Sequence, residues 1–189
     1  MRILIRGGSI AAGYGVGKGY ADSLREYCAS KGIALINQSR FKENSFDGIR
    51  SFDEDVDPFK PEILVVHFGV DDAFECVYRS EFKENLVTIV KRARSRFNPL
   101  IVMPTSQPFE NPYDMQAVYN YYRIIREVCN DLNCEVVSVH TYWASWLEEK
   151  GVKHSDLVHD DVRYPNERGH EIFAHAIIQR LEKIIPSYL

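Results

Sequence analysis

Five short, near-continuous apolar runs set the frame of this chain: Ile3 to Ile5, Ile33 to Ile36, Ile63 to Phe68, Leu100 to Met103 and Val136 to Val139. Runs of this length without a polar face are expected of strands covered on both sides of a parallel sheet. The stretches between them repeat their apolar residues at helical spacing. Examples are Tyr20, Leu24 and Cys28, then Phe82, Leu86, Ile89 and Ala93, then Val118, Tyr122 and Ile125, and finally Ile172, Phe173, Ala176 and Leu181. Strand and helix therefore alternate. The alternation predicts a doubly wound α/β fold: a five-stranded parallel sheet with helices on both faces and right-handed crossovers. At 189 residues, with no repeat or linker-like segment, the chain is expected to form a single domain over residues 1–189.

Charge narrows the partners. The 23 basic and 27 acidic residues give a formal charge of −4, which supplies no general attraction to nucleic acid or to anionic membranes. A small-molecule partner is expected, with no nucleic acid, and the oligomeric state is left open. The opening apolar run ends at Gly7, too soon for a membrane span or a signal-peptide core, and a cytoplasmic location is expected. Cys28, Cys76, Cys129 and Cys134 lack the spacing of a zinc site or a disulfide framework and are read as reduced thiols.

In a parallel α/β sheet, ligands bind beyond the carboxyl ends of the strands. Those positions hold Gly7, Gly8 and Ser9 after the first strand, Asn37 to Glu43 after the second, and Gly69, Asp71 and Asp72 after the third. Thr105, Ser106 and Gln107 follow the fourth, in a proline-rich segment to Pro112 that is expected to border the pocket. His140, Thr141 and Tyr142 follow the fifth, with Trp143 and Trp146 read either as a groove or as core. The glycine-rich stretch Gly13 to Gly19 is not a phosphate loop. Ala12 stands where the first glycine belongs, and Gly19 where Ser or Thr would hold magnesium.

Three blocks in order are more specific: Gly7-Gly8-Ser9-Ile10, Gly69-Val70-Asp71-Asp72, and Asp161-Val162-Arg163-Tyr164-Pro165-Asn166 followed by Gly169-His170. Together they resemble the blocks of the SGNH (GDSL-type) hydrolases: G-D-S-L, G-x-N-D, and D-x-x-H before Pro-Asn. The resemblance spans the chain from Arg2 to the last helix and implies a flavodoxin-like sheet carrying a serine ester hydrolase site. In that family the Ser attacks an acyl carbon, the His takes its proton and the Asp orients the His. The oxyanion is held by backbone N–H groups and the Asn side chain.

Carried over residue by residue, the resemblance retains Ser9 as nucleophile and Asp161 as the triad acid. Gly8 takes the place of the block's Asp, Asp71 that of the oxyanion Asn, and Tyr164 that of the His. With Asn37 aligned to the common Asn at the end of the second strand, the family's second-block glycine falls near Lys42. These changes matter chemically. A tyrosine with a pKa of about 10 is a poor base at neutral pH. An ionised Asp71 has no N–H to donate, and loss of one oxyanion donor costs roughly 10²- to 10³-fold.

Several substitutes for the missing parts are open. His159, in Asp156-Leu157-Val158-His159, reproduces D-x-x-H five residues early and could reach Ser9 by another loop path. Asp71 could accept the Ser9 proton itself while Lys42 or Arg40 supplies positive charge, although an Asp–Lys or Asp–Arg ion pair that shapes the pocket is the slightly preferred reading. His67 and His140 are eligible by their place at strand ends and are expected to be structural.

The expected function is hydrolysis of a small or carbohydrate-linked acyl or acetyl ester, with no cofactor and no metal. One alternative is a catalytically inactive recognition module, with Ser9, Asp71 and Tyr164 as hydrogen-bonding groups. A lower-ranked one is a metal-dependent phosphoesterase in which Asp71, Asp72, Asp160, Asp161 and His159 converge.

Overall fold

The computed structural model describes residues 1–187. Five strands, β1 (Arg2–Gly7), β2 (Ala34–Asn37), β3 (Ile63–His67), β4 (Leu100–Pro104) and β5 (Glu135–Val137), form one parallel sheet in the order β2-β1-β3-β4-β5. The order reverses at β1, so the crevice between the ends of β1 and β3 is the topological switch point. Ser9 and Asp71 follow those two strands.

Side chains along the central strands alternate between two cores. Ile3, Ile5, Ile63, Val65 and Val102 join the cluster under α1 (Tyr20–Ser30), while Leu4, Leu64, Val66, Ile101 and Met103 join the one under α5 (Arg79–Arg96). Helix α8 (Glu167–Ile184) adds Phe173 and Ile177 to the first, and α6 (Pro112–Asp131) adds Ile125 and Val128 to the second. Each such fully buried apolar side chain contributes about 1.5–3 kcal/mol. Burial on both faces is why the strands carry no alternating polar pattern.

Helix starts follow local chemistry. Asn111 caps α6 by accepting from the Tyr113 and Asp114 N–H groups, with Pro112 at the first helical position, and Asn166 caps α8 by accepting from Gly169 N–H at 3.1 Å. The strand limits differ from the apolar runs at both sheet edges. Val139 opens α7 (Val139–Lys150) instead of ending β5, because the Ser138 carbonyl already accepts from the Thr141 and Tyr142 N–H groups. His140, Thr141 and Tyr142 therefore lie in a helical turn. Trp143 is fully buried against Phe173 and His154, and Trp146 packs on His175, so both tryptophans serve packing. No helix among the described residues is long and apolar enough to cross a membrane.

Candidate active site

Ser9 sits in the tight turn after β1, where the Gly8 and Ser9 carbonyls accept from Ala12 and Tyr14 N–H. It is fully buried. Its hydroxyl donates to Asp71 Oδ1 at 2.6 Å and its backbone N–H donates to Asp71 Oδ2 at 2.8 Å. One carboxylate thus takes both polar hydrogens of the serine. Asp71 lies in the first turn of α4 (Val70–Phe74), entered through Gly69 at φ 131°, a backbone state that glycine adopts without strain.

Gly8 and Asp71 are a matched pair. A Cβ at Gly8 would overlap Asp71 Oδ2 and the Glu43 carbonyl oxygen, so the Asp71 carboxylate occupies the space a side chain at position 8 would need. The glycine at position 8 follows from this crowding, in which the Glu43 main chain has as large a part as Asp71. Burial raises the Asp71 pKa; the two bonds from Ser9 oppose it, Glu75 adds to it and Arg163 offsets it.

On the other side of Ser9, the loop after β2 brings the Lys42 backbone N–H to Ser9 Oγ at 3.0 Å. Lys42 holds φ 59°, the left-handed conformation that favours glycine, at the position the alignment assigns to the family's second-block glycine. Its side chain turns outward, with Nζ 5.4 Å from the Phe41 ring centroid. Arg40 points away from Ser9. It makes two bonds to Asp55, at 2.7 and 2.5 Å, and one to Glu43 at 3.3 Å. Beneath them Arg6, 2% exposed on β1, pairs with both Asp55 and Glu43. The loop carrying Lys42 is thereby tied to the sheet through buried charge.

Tyr164 is buried beside Ser9, packed edge-on against Tyr14 at 4.7 Å, and Tyr14 stacks on Phe41 at 3.8 Å. Burial and then the Asp71 charge raise the phenol's pKa, against Arg163 and the neighbouring Ser9 hydroxyl. The carboxylate of Asp161, the triad-acid position, is engaged by Arg163 through Nε and Nη2, and that bond holds its pKa below the usual carboxylate range. His159 turns its Nε2 under Gly15, where a Cβ would stand 3.1 Å away, and that atom is buried without a recorded partner. Among the described residues, Ser9 bonds Asp71 and the Lys42 N–H and makes no hydrogen bond with His159.

The other candidates are distributed through the fold. Asp72 accepts from Ser45 N–H, Ser45 Oγ and Gly69 N–H, and burial pushes its pKa up to about 6. His67 bonds Tyr20 Oη at 2.8 Å and is lowered to about 3 by burial, while His140 bonds Thr105 Oγ1 at 2.8 Å. Among the described residues, no group of three or more His, Cys, Asp or Glu side chains is gathered to hold a metal ion. Asp72 and Asp161 face the separate partners just described, and His159 is turned under Gly15.

A cleft of about 360 Å³ opens above the serine, lined by Tyr14, Phe41, Lys42, Asp71, Arg163 and Tyr164 among others. The sequence reading missed Arg6, Arg163, Tyr14 and Phe41. Arg6 was visible as a charge inside an apolar strand. The others sit in loops with no periodic signal.

The sequence profile of the GDSL-like lipase/acylhydrolase family matches residues 6–172. The chain belongs to that family. Among solved structures, this GDSL-like chain is similar to Axe2, an acetylxylan esterase from Geobacillus stearothermophilus, with a TM-score of 0.83 at 20% identity over 94% of this chain and 92% of that one. It is equally similar to LAE5, an alpha/beta hydrolase enzyme from the metagenome of Lake Arreo, Spain, with a TM-score of 0.83 at 20% identity over 94% and 93% of the two chains. At these identities the likeness is one of fold. No curated protein matches the sequence. Within the family the departures of this chain are concentrated at Gly8, Lys42, Asp71 and Tyr164.

Proposed function

We propose that this GDSL-like protein hydrolyses a small acyl or acetyl ester, including one carried on a carbohydrate, with Ser9 as nucleophile and Asp71 as its base. The supporting observation is the 2.6 Å hydrogen bond from Ser9 Oγ to Asp71 Oδ1, made to a carboxylate whose pKa burial has raised toward that of a useful base. In this reading Ser9 Oγ attacks the acyl carbon as its proton passes to Asp71 Oδ1. The neutral acid holds the Ser9 N–H less strongly, and that N–H and the Lys42 N–H are the two backbone donors available to the oxyanion. The substrate carbonyl must displace Asp71 Oδ2 from the first of them. Asp71 then returns the proton to the leaving alkoxide, and water repeats the sequence on the acyl-enzyme. Tyr14 and Phe41 at the cleft supply aromatic faces of the kind that pack on sugar rings, in keeping with the acetylxylan esterase named among the structural neighbours.

A second reading, recognition without turnover, is favoured by the complete burial of Ser9 and the bonding of both its hydrogens to Asp71. Labelling by a fluorophosphonate probe and turnover of p-nitrophenyl acetate separate the two. The hydrolytic reading expects both, lost in Ser9→Ala and reduced roughly 10²- to 10⁴-fold in Asp71→Asn. Absence of labelling and turnover, with acetylated xylo-oligosaccharide still bound, would establish the second.

A further inference from the structure

The loop that carries Asp161, Arg163 and Tyr164 is closed by few backbone bonds of its own. His159 N–H donates to the Tyr164 carbonyl, Tyr164 N–H donates to the Asp161 carbonyl, and Val158 pairs with Pro165. The carbonyls of Val162 and Arg163, at the tip, are turned inward. Each receives its one recorded hydrogen bond among the described residues from Gln107 Nε2, at 3.3 and 3.0 Å. Gln107 lies in the segment after β4 and is fully buried. Ser106 Oγ donates to its Oε1, which leaves the amide nitrogen facing the loop, and Tyr122 Oη donates to its backbone carbonyl at 2.6 Å.

We infer that Gln107 is a positioning residue of the site: its buried amide fixes the Val162–Arg163 backbone and so aims Arg163 and Tyr164 into the cleft. The chemistry argues for this role over simple filling. A primary amide has two N–H donors on one nitrogen, enough to hold two successive carbonyls at once. From that backbone Arg163 lays its guanidinium against Asp161 and 5.4 Å from the ring centroids of both Phe74 and Tyr164. The effect on the ester reaction rests on the function proposed above. The anchoring itself does not.

Trypsin reads the anchoring directly, because the bond it would cut after Arg163 contains the carbonyl Gln107 holds. Gln107→Met keeps the length of the side chain and removes both donors. It is expected to speed cleavage after Arg163, seen by mass spectrometry as fragments 1–163 and 164–189, by about tenfold or more, while other tryptic sites change by less than about twofold. Ser106→Ala, which keeps the amide, is expected to show a smaller increase at the same bond. For p-nitrophenyl acetate, Gln107→Met should raise KM several-fold with a lesser change in kcat, since Ser9, Asp71 and Lys42 stand on other loops. Equal acceleration at every tryptic site, or none after Arg163, overturns the inference. A wild type without turnover removes the proposed reaction but leaves the proteolysis result to decide Gln107.

Discussion

At the scale of single residues, Lys42 and Asp71 carry the unusual features of the site. Lys42 adopts φ 59° with an L side chain, a conformation that costs roughly 1–2 kcal/mol without glycine. Lys42→Gly is therefore expected to keep the N–H at Ser9 and to raise stability by up to about 1 kcal/mol, the gain being reduced by the extra freedom of glycine in the unfolded chain. Urea denaturation measures it. Asp71 titrates above the ordinary carboxylate value, and the proposed reaction needs it ionised. The rate of p-nitrophenyl acetate turnover should then rise with pH through that elevated pKa and level off above it. A rate that climbs only near the range of imidazole or phenol titration would point to another base.

Among the elements, the buried charges of Arg6, Asp55 and Glu43 join β1 to the loop after β2 and to the short helices that follow it. Removing the cation leaves two partly or fully buried carboxylates with less compensation, so Arg6→Met is expected to cost about 3–5 kcal/mol in urea unfolding. This network also shows where sequence reading stops. The five strands, the alternation with helices and the blocks around Ser9, Asp71 and Asp161 were legible because periodicity and strand-end position are local properties. Lys42's place was found by counting from Asn37. The direction of Arg40 toward Asp55 and the withdrawal of His159 beneath Gly15 depend on which loops meet, and no spacing along the chain encodes that, whereas Arg163 takes Asp161 from two residues away on the same loop. The short β5 was misjudged at its end for a related reason: an apolar valine fits the first turn of α7 as well as a strand.

At the scale of the whole molecule, buried histidines link folding to pH. His67 is lowered to about 3 and His170 to about 4, both mainly by burial, from an ordinary value of 6.5. A depressed folded pKa contributes stability that is present above pH 6.5 and is lost as pH falls toward the folded values. Asp72, raised to about 6, acts oppositely: its contribution is full below 3.8 and lost as pH rises through 6. The drop in Tm between pH 7.5 and pH 5 should therefore be smaller in His67→Gln, which can still bond Tyr20, and larger in Asp72→Asn. Calorimetry at the two pH values measures both.

The crowding at Gly8 sets the terms on which this site can be rebuilt. A Cβ there meets two obstacles, the Asp71 carboxylate and the Glu43 backbone carbonyl oxygen. Asparagine is the size of aspartate, so the family's residue at position 71 would empty no space, and the Glu43 oxygen belongs to the main chain. A side chain at position 8 therefore requires the loop after β2 to shift as well. Rebuilding the family's blocks in this protein is an operation on a loop, and side-chain replacement alone does not accomplish it.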